Sequence, residues 1–303
     1  MRTVIIILGP TASGKTDAAV ALARKINGEI ISADSRQIYK HMDIGTNKPP
    51  AKQLRAVPHH LINIASPTGT FSAGEFATLA NKQIKDIFGR NRIPIIAGGT
   101  GFYTKALTDG LVNAPSDKIL RTNLRKELEK KGLNSLYGKL AKLDPQTAKT
   151  IDKKNPVRII RALELCLLTG KRFSRLKKTT KKSAYNFLIF GLSVNKNELY
   201  KRIDARVDKM VKNGLFEEVR KLIKKYSAEN IVLKNTIGYR EIIAFLSGEL
   251  SRAAAIDLIK KNTRHYAKRQ MTWFNKISGI IWMDSKNNTA SVMLNYIKKS
   301  GII

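Results

Sequence analysis

The groups most suited to chemistry in this sequence lie in a glycine-rich segment at residues 9–16, which reads GPTASGKT. The segment fits the pattern G-x-x-x-x-G-K-[ST], with a strand-like apolar run before it and a helical pattern after it. In such a loop, backbone N–H groups surround phosphate oxygens, the lysine adds a positive charge and the last hydroxyl can hold Mg²⁺. We therefore predict a phosphate or diphosphate site, with Mg²⁺ held by Thr16, formed by Gly9, Pro10, Thr11, Ala12, Ser13, Gly14, Lys15 and Thr16.

A carboxylate follows the second apolar run of the chain. Asp34 comes directly after residues 29–33. Because the carboxyl ends of parallel strands lie at one edge of a sheet, we expect Asp34 to face the same crevice as the glycine-rich loop. It is a candidate metal ligand or general base. The alternative is a structural aspartate that caps a turn with Ser35.

A second glycine-rich turn, residues 98–101, follows another apolar run. Its glycines permit close approach of a ligand, and the Thr100 hydroxyl can donate or accept a hydrogen bond. Tight packing between a strand and a helix would also explain these glycines, so the turn alone does not identify a site.

The elements that must position these groups follow from the hydrophobic pattern. Short apolar runs alternate with helical patterns, which predicts buried strands in a mainly parallel sheet with helices on both faces. Together with the phosphate loop, this is the α/β fold class of the P-loop NTPases. The predicted strands cover residues 4–8, 29–33, 93–97, 187–194 and 280–283, and the first predicted helix covers residues 17–26.

The stretch before the fourth predicted strand reads as helical. We predict an all-helical domain at residues 115–184, inserted into an α/β core made of residues 1–114 and 185–303. Its clearest helix begins at Asn155 and Pro156, a capping residue followed by proline at the first helical position, and stops at Gly170. Seven basic residues and no acidic one occur in residues 171–182, which is typical of a solvated linker.

The charge balance indicates a polyanionic partner. The 303 residues include 56 Lys and Arg against 23 Asp and Glu, a formal net charge of +33, and +14 of it falls in the predicted insertion. Nucleic acid is favoured over an anionic membrane because no basic amphipathic anchor stands out, while a lysine-rich background is the alternative. The single cysteine, Cys166, excludes an internal disulfide, and no apolar run is long enough to cross a membrane, so we expect a cytoplasmic protein.

Several of these motifs occur together in one known family. The chain resembles the tRNA dimethylallyltransferases (isopentenyl diphosphate:tRNA transferases) of the bacterial type, in order and over nearly its whole length. His41 stands where the family more often has glycine, and the Cys/His zinc finger of eukaryotic relatives is missing. The resemblance is carried by residues 9–16, 34–49, 58–61, 98–103, 155–164, 214–220, 237–241 and 263–274.

The resemblance implies transfer of the dimethylallyl group of dimethylallyl diphosphate to N6 of adenosine 37 in tRNA, giving N6-(dimethylallyl)adenosine and diphosphate. The exocyclic amine is a poor nucleophile, because its lone pair is delocalised into the ring, so a base is needed as well as a site for the leaving group. We expect Asp34 to be the base and Thr100 to orient the reacting groups. The groups expected to neutralise the diphosphate are Thr11, Lys15, Mg²⁺ on Thr16, and Arg220. The alternative for Arg220 is a surface ion pair on a helix.

The adenine must leave the stacked anticodon loop to reach the crevice, and contacts to the anticodon stem-loop would offset the free energy of unstacking. On an arginine-rich helix near the C-terminus, Arg264, Lys268 and Arg269 share a face, where any one of them could equally be solvated. The expected tRNA contacts are Asp34, Ser35, Arg36, Gln37, Thr100, Val157, Arg158, Ile159, Ile160, Arg161, Arg240, Arg264, Lys268 and Arg269.

Other functions fit the same core. One is a prenyltransferase acting on free adenine nucleotides, and another is a small-molecule kinase whose loop holds ATP. The basic insertion and the arginine-rich helix near the C-terminus argue against a small substrate, which does not need them. A non-catalytic RNA-binding module would leave the phosphate loop, Asp34 and Thr100 without a purpose. We expect a monomer that binds tRNA and dimethylallyl diphosphate and does not bind a membrane.

Overall fold

The computed structural model describes residues 2–111, 117–178, 183–285 and 289–302. Six strands in these ranges form one sheet in the order β3-β2-β4-β1-β5-β6, and every pairing among them is parallel. The predicted parallel α/β sheet is confirmed. The strands are β1 (Thr3–Leu8), β2 (Gly28–Ser32), β3 (His59–His60), β4 (Ile93–Gly98), β5 (Asn186–Ser193) and β6 (Ile280–Asp284).

The chain forms two compact units. The core unit consists of Met1–Thr108 and Ala184–Ile303, and the helical unit consists of Asp109–Ser183. The predicted boundary between residues 114 and 115 lies outside the described residues, and the predicted return to the core at 185 is one residue later than the observed one.

The described residues form α-helices in both units. Those of the core unit are α1 (Lys15–Lys25), α2 (Ala51–Ala56), α3 (Ala73–Gly89), α4 (Gly101–Thr108), α9 (Lys196–Lys212), α10 (Leu215–Tyr226), α11 (Ile231–Lys234), α12 (Tyr239–Leu246), α13 (Arg252–Phe274) and α14 (Thr289–Lys299). Those of the helical unit are α5 (Lys118–Leu143), α6 (Pro145–Thr150), α7 (Pro156–Thr169) and α8 (Phe173–Lys178). None of these described helices is both long enough and apolar enough to span a membrane.

The sheet is covered on both faces, as its unbroken apolar strands predict. Residues 4–8 of β1 are fully buried. Because side chains alternate along a strand, Ile5 and Ile7 face one side, where they share an apolar cluster with residues of α1 and α14. Helix α3 packs on β2 and β4, and its buried Phe76 and Ile84 lie outside that cluster, on the other face.

The strand order brings three loops together at the carboxyl edge of the sheet. Strand β4 lies between β2 and β1, so the loops that follow these strands are neighbours. Gly98 at the end of β4 permits this closeness, because a Cβ atom there would lie 2.1 Å from the carbonyl oxygen of Ala33. The Ala33 N–H donates to the Ala97 carbonyl at 2.8 Å, which fixes the chain just before Asp34.

The helical unit has an apolar core of its own. As predicted, α7 starts after Asn155, whose side chain accepts from the Arg158 N–H at 3.1 Å, and stops at Gly170, which has a φ of 63°. Buried residues of α5 and α7 form the core, among them Leu136 and Leu163. Cys166, also buried there, is a free thiol.

Candidate active site

A cavity opens where the three loops meet at the carboxyl edge of the sheet. We call it the edge cavity; the side chains with the clearest chemistry on its wall are Thr11, Lys15, Thr16, Asp34, Arg206 and Tyr266. Gln37, Asn47 and Gln270 also line it. The predicted phosphate loop and the predicted base therefore face one space, as the strand-end argument requires.

The phosphate loop turns sharply before α1. Ala12 and Gly14 have left-handed φ values of 64° and 83°, so the chain curls around the site. Ser13 N–H donates to the Pro10 carbonyl at 3.2 Å, and Lys15 Nζ donates to the same carbonyl at 3.1 Å. The Ser13 hydroxyl is buried without a hydrogen-bond partner in the described part of the chain. A buried polar atom without a partner is unfavourable, and a phosphate oxygen would satisfy it.

Asp34 caps a turn with one carboxylate oxygen, and its side chain also lines the edge cavity. Its Oδ1 accepts from the backbone N–H groups of Arg36 at 2.8 Å and Gln37 at 3.3 Å, which is the turn-capping role. Its Oδ2 accepts no hydrogen bond from any residue that the structure describes. One oxygen thus fixes the carboxylate while the other is available to a substrate.

Thr100 contacts the residue after Asp34. Its Oγ1 accepts from the Ser35 N–H at 3.0 Å, and its hydroxyl donates to the Ser35 Oγ at 3.3 Å. The Thr100 N–H donates to the Ala33 carbonyl at 3.2 Å. Thr100 therefore joins the loop after β4 to the loop after β2 and fixes the backbone on both sides of Asp34.

The structure places Arg206, and not Arg220, on the wall of the edge cavity, while the predicted role of Arg220 stays a prediction. Arg220 lies on α10 with its side chain 55% exposed, pairs with Glu217 at 3.4 Å and does not line the edge cavity. Arg206 of α9 lines the cavity and donates to the Thr11 hydroxyl at 3.0 Å. The two arginines lie on different helices, and sequence spacing did not show which helix turns an arginine toward the cavity.

The two cations of the cavity are destabilised by burial. Burial and, to a lesser extent, the charge of Arg206 lower the pKa of Lys15 to about 8, although the charge of Asp34 opposes the shift. Burial also lowers the pKa of Arg206 to about 10, again opposed by Asp34. A dianionic or trianionic ligand would stabilise both charges, so the cavity is suited to a diphosphate.

Helix α13 contributes a face that sequence reasoning missed. Tyr266, Gln270 and Trp273 lie on it at spacings of four and three residues. Gln270 accepts from the Thr11 N–H at 2.8 Å and donates to the Gly99 carbonyl at 2.8 Å, so it joins the phosphate loop to the second glycine-rich turn. Trp273 lies against Gly101, where a Cβ atom would be 2.1 Å from the indole. These apolar and neutral side chains had no charge signal, but their shared face was visible in the spacing.

The pKa of Tyr266 shows how close this face lies to the predicted base. Burial raises it to about 12, and the negative charge of Asp34 adds to the shift. The phenol is therefore a protonated, neutral donor at neutral pH.

Some of the residues predicted to contact tRNA in the core unit are exposed, whereas others are already paired within the protein. Gln37 lines the cavity, and Arg36 donates to the Asn235 carbonyl at 3.0 Å. Lys268 and Arg269 are exposed. Two of the predicted contacts are already in ion pairs: Arg264 with both oxygens of Asp204, at 2.6 and 2.8 Å, and Arg240 with Glu241 at 2.7 Å.

The predicted contacts on α7 of the helical unit require a correction. Ile159 and Ile160 are buried in the core of that unit and are not accessible to RNA. Val157 and Arg158 are exposed. Arg161 donates to the fully buried Glu164 at 2.8 Å, so its charge stabilises the helical unit. The helical period places Val157 and Arg158 outward and the following two residues inward.

Comparisons with known proteins identify one family. A family model described as IPP transferase matches residues 37–277. The chain is 45% identical to tRNA dimethylallyltransferase 1 of Syntrophotalea carbinolica over 96% of its own length and 93% of that protein. It is 44% identical to tRNA dimethylallyltransferase of Halothermothrix orenii, over 98% of this chain and 92% of that one.

Two solved structures are similar over the whole chain. The full-length tRNA isopentenylpyrophosphate transferase of Bacillus halodurans aligns with a TM-score of 0.74 and 38% identity, covering 100% of this chain and 97% of that one. A eukaryotic dimethylallyltransferase acting on tRNA aligns with a TM-score of 0.86 and 30% identity, covering 100% of this chain and 80% of that one.

Proposed function

The chain belongs to the IPP transferase family, and on that basis we propose that it transfers the dimethylallyl group of dimethylallyl diphosphate to N6 of adenosine 37 in tRNA. The observation that carries the proposal is the edge cavity, where a phosphate loop and the carboxylate of Asp34 face one space. A kinase acting on a small molecule would use the loop for ATP, but the two relatives described above are named tRNA dimethylallyltransferases.

In the proposed reaction a C–N bond replaces a C–O bond, and a proton passes from N6 to Asp34. The N6 nitrogen attacks C1 of the dimethylallyl group while the bond from C1 to the diphosphate oxygen breaks, and its electron pair leaves with the diphosphate. Asp34 Oδ2 accepts the proton that N6 loses, since Oδ1 is held by backbone N–H groups. The loss of that proton makes the delocalised amine a competent nucleophile.

The leaving group is stabilised by preorganised charges and dipoles. Lys15, Arg206 and the backbone N–H groups of the phosphate loop lie where the diphosphate charge increases. Arg206 is already held by the Thr11 hydroxyl, so little reorganisation is needed during the reaction. Thr100 acts on the geometry of Asp34 through Ser35.

The oxygen groups present fit Mg²⁺. Thr16 and Asp34 line the edge cavity, and the described residues contain no cluster of three or more His, Cys, Asp or Glu side chains that would form a cage for a metal. Mg²⁺ typically keeps several waters and binds one or two protein oxygens together with substrate phosphates. We propose that Thr16 holds it, where it would neutralise part of the diphosphate charge.

The macromolecular substrate follows from the relatives and from the charge. The net charge of +33 suits a polyanion, and the adenosine would have to be flipped into the cavity, where Gln37 lies beside Asp34. We propose that the enzyme works as a monomer on the anticodon stem-loop in the cytoplasm.

The test is an incubation of the protein with labelled dimethylallyl diphosphate and tRNA that lacks the modification. We expect label in adenosine 37, no transfer to free AMP, and no phosphoryl transfer from ATP. Label appearing in AMP at the rate seen with tRNA would identify the free-nucleotide prenyltransferase instead.

Asp34→Ala tests the proposed base. It should lower kcat by about 10² to 10⁴ with tRNA affinity largely kept, because a general base contributes that much to a rate. Asp257→Ala, at an exposed position of α13, is the matched control. Normal turnover of the Asp34 variant would exclude this assignment.

A further inference from the structure

A carboxylate outside the edge cavity is surrounded by donors. Glu218 of α10 accepts from three consecutive backbone N–H groups: Asp43 at 2.9 Å and Ile44 at 2.7 Å on Oε2, and Gly45 at 3.0 Å on Oε1. The Tyr239 hydroxyl donates to Oε1 at 2.7 Å. Hydrogen bonds to an ionised acceptor are about twice as strong as neutral ones.

The partners of Glu218 are arranged for this contact. Burial raises the pKa of Tyr239 well above its ordinary value, and the charge of Glu218 adds to the shift, so the phenol stays a donor. The backbone of Gly45 touches the same ring, because a Cβ atom there would lie 2.4 Å from it. Glu218 and Tyr239 together hold residues 43–45 against α10 and α12.

The segment held in this way, residues 43–48, leads directly to the wall of the edge cavity. Asn47, with a φ of 50°, lines the cavity beside Gln37. The Gln37 amide donates to the Asn47 carbonyl at 3.1 Å, and its Oε1 accepts from the Ser32 hydroxyl at 3.1 Å. The orientation of Gln37 therefore depends on where this segment lies.

The position of the phosphate loop does not depend on residues 43–48. That loop is held by Gln270 and by Arg206, through bonds at 2.8 and 3.0 Å to Thr11. Release of residues 43–48 should thus disturb the Gln37 side of the cavity more than the diphosphate side.

We infer that Glu218 is a positioning residue, which holds residues 43–48 so that Gln37 and Asn47 present the adenosine to Asp34. This inference rests on the proposed function for its substrate. It assigns to α10 a role through a glutamate two residues from Arg220, which was predicted to act directly.

The test compares Glu218→Gln with Glu217→Gln, a neighbour on the same helix that pairs only with exposed Arg220 among the described residues. The amide of glutamine presents an NH₂ group to one of the N–H donors and loses the charge. We expect kcat/KM for tRNA to fall by about 10- to 100-fold in Glu218→Gln, since a buried donor left unpaired costs about 1–3 kcal/mol. Glu217→Gln should match the unchanged protein.

Two measurements distinguish a positioning role of Glu218 from a general loss of structure in the variant. Hydrogen exchange of the full chain should be faster in residues 43–48 of Glu218→Gln, and the affinity for inorganic pyrophosphate should stay within about twofold of the unchanged protein. Unchanged exchange, unchanged kcat/KM or an equal loss of pyrophosphate affinity would each overturn the inference. If the unchanged protein does not prenylate tRNA, the proposed function fails, while the exchange measurement still decides whether Glu218 holds the segment.

Discussion

Lys15, Asp34, Arg206 and Tyr266 share one small cavity, and the carboxylate of Asp34 raises the proton affinity of the other three. Burial and Arg206 lower the pKa of Lys15, while Asp34 raises it. The same carboxylate supports the charge of Arg206 and disfavours ionisation of Tyr266. The site thus holds two cations that a diphosphate would stabilise and one carboxylate beside them.

The first prediction, at the level of single residues, compares the contributions of Arg206 and Arg220 to turnover. Arg206→Ala should lower kcat by about 10²- to 10³-fold, because a preorganised donor to the leaving group is lost. Arg220→Ala should stay within about twofold, since exposed ion pairs contribute little. Single-turnover assays with saturating tRNA measure both. A large loss in the Arg220 variant alone would restore the sequence-based assignment.

The second prediction concerns pH. With a pKa of about 8, Lys15 is mostly charged at pH 7 and mostly neutral at pH 9 in the free protein. A bound diphosphate favours the charged form, so affinity for pyrophosphate should fall by about 10-fold between these pH values through Lys15 alone. Pyrophosphate itself also titrates between pH 7 and 9. Calorimetry should therefore measure its affinity for the unchanged protein and for Lys15→Arg, whose guanidinium stays charged, and the difference between the two proteins gives the effect of Lys15. If affinity changed with pH in the same way in both proteins, the lowered pKa of Lys15 would be contradicted.

Among the secondary-structure elements, individual helices supply single side chains to the site or to the segment beside it. Helix α13 supplies Tyr266 and Gln270 to the cavity, and α9 supplies Arg206. Helix α10 supplies Glu218 to the segment that ends at the cavity wall. In the helical unit, the equivalent organising group is Glu164 of α7, which accepts from Arg121, from Arg161 and from the Asp117 N–H.

The third prediction tests Glu164. Burial would raise its pKa, but hydrogen bonds from Arg121 and Arg161 outweigh this and lower it from 4.5. Its contribution to stability is therefore present at neutral pH and is lost as the pH falls below 4.5. Glu164→Gln should destabilise the helical unit by about 1–2 kcal/mol at pH 7, since the N–H donors of Arg121, Arg161 and Asp117 lose a charged acceptor.

Hydrogen exchange of α7 in the full-length chain measures this effect. Glu129→Gln, at an exposed position of α5, is the control and should leave the exchange unchanged. Equal protection of α7 in both variants would show that the buried network contributes nothing. A difference that persists undiminished at pH 3 would contradict the lowered pKa of Glu164.

For the whole molecule, the net charge of +33 acts on tRNA at long range, but only some of the charges are available. Several basic residues are neutralised internally: Arg90 and Arg92 pair with buried Glu29, and Arg264 pairs with Asp204. Others, such as Arg158 and Lys268, are exposed. Affinity for tRNA should therefore depend on fewer phosphate contacts than the 56 basic residues would allow.

The fourth prediction belongs to this scale. Arg158→Ala should weaken tRNA binding and reduce the slope of log Kd against log salt by about 1, because one phosphate contact and its released counterion are lost. Lys85→Ala, on α3, removes the same charge and is the control. Binding titrations from low to moderate KCl give the slopes. An unchanged slope for Arg158→Ala would remove it from the tRNA interface.

The sequence by itself determined the fold class, the phosphate loop and the position of Asp34. These follow from short-range patterns: apolar runs of strand length, glycines at fixed spacing, and the rule that parallel strands end at one edge. The limits of α7 were also local, since Asn155, Pro156 and Gly170 act on their own backbone. The residues chosen for the site along these strands therefore lie where they were expected.

Only the tertiary structure decided which distant side chains complete the site. Arg206 and Gln270 reach Thr11 across 195 and 259 residues, and Glu218 reaches Gly45 across 173. Ile159 and Ile160 turned inward because α7 buries one stripe against α5. Which side chains face inward depends on the rotation of each helix about its axis, and the packing of the helices sets that rotation. A shift of two residues along a helix turns a side chain to a different side, which is why Glu218 reaches residues 43–45 while Arg220 is exposed.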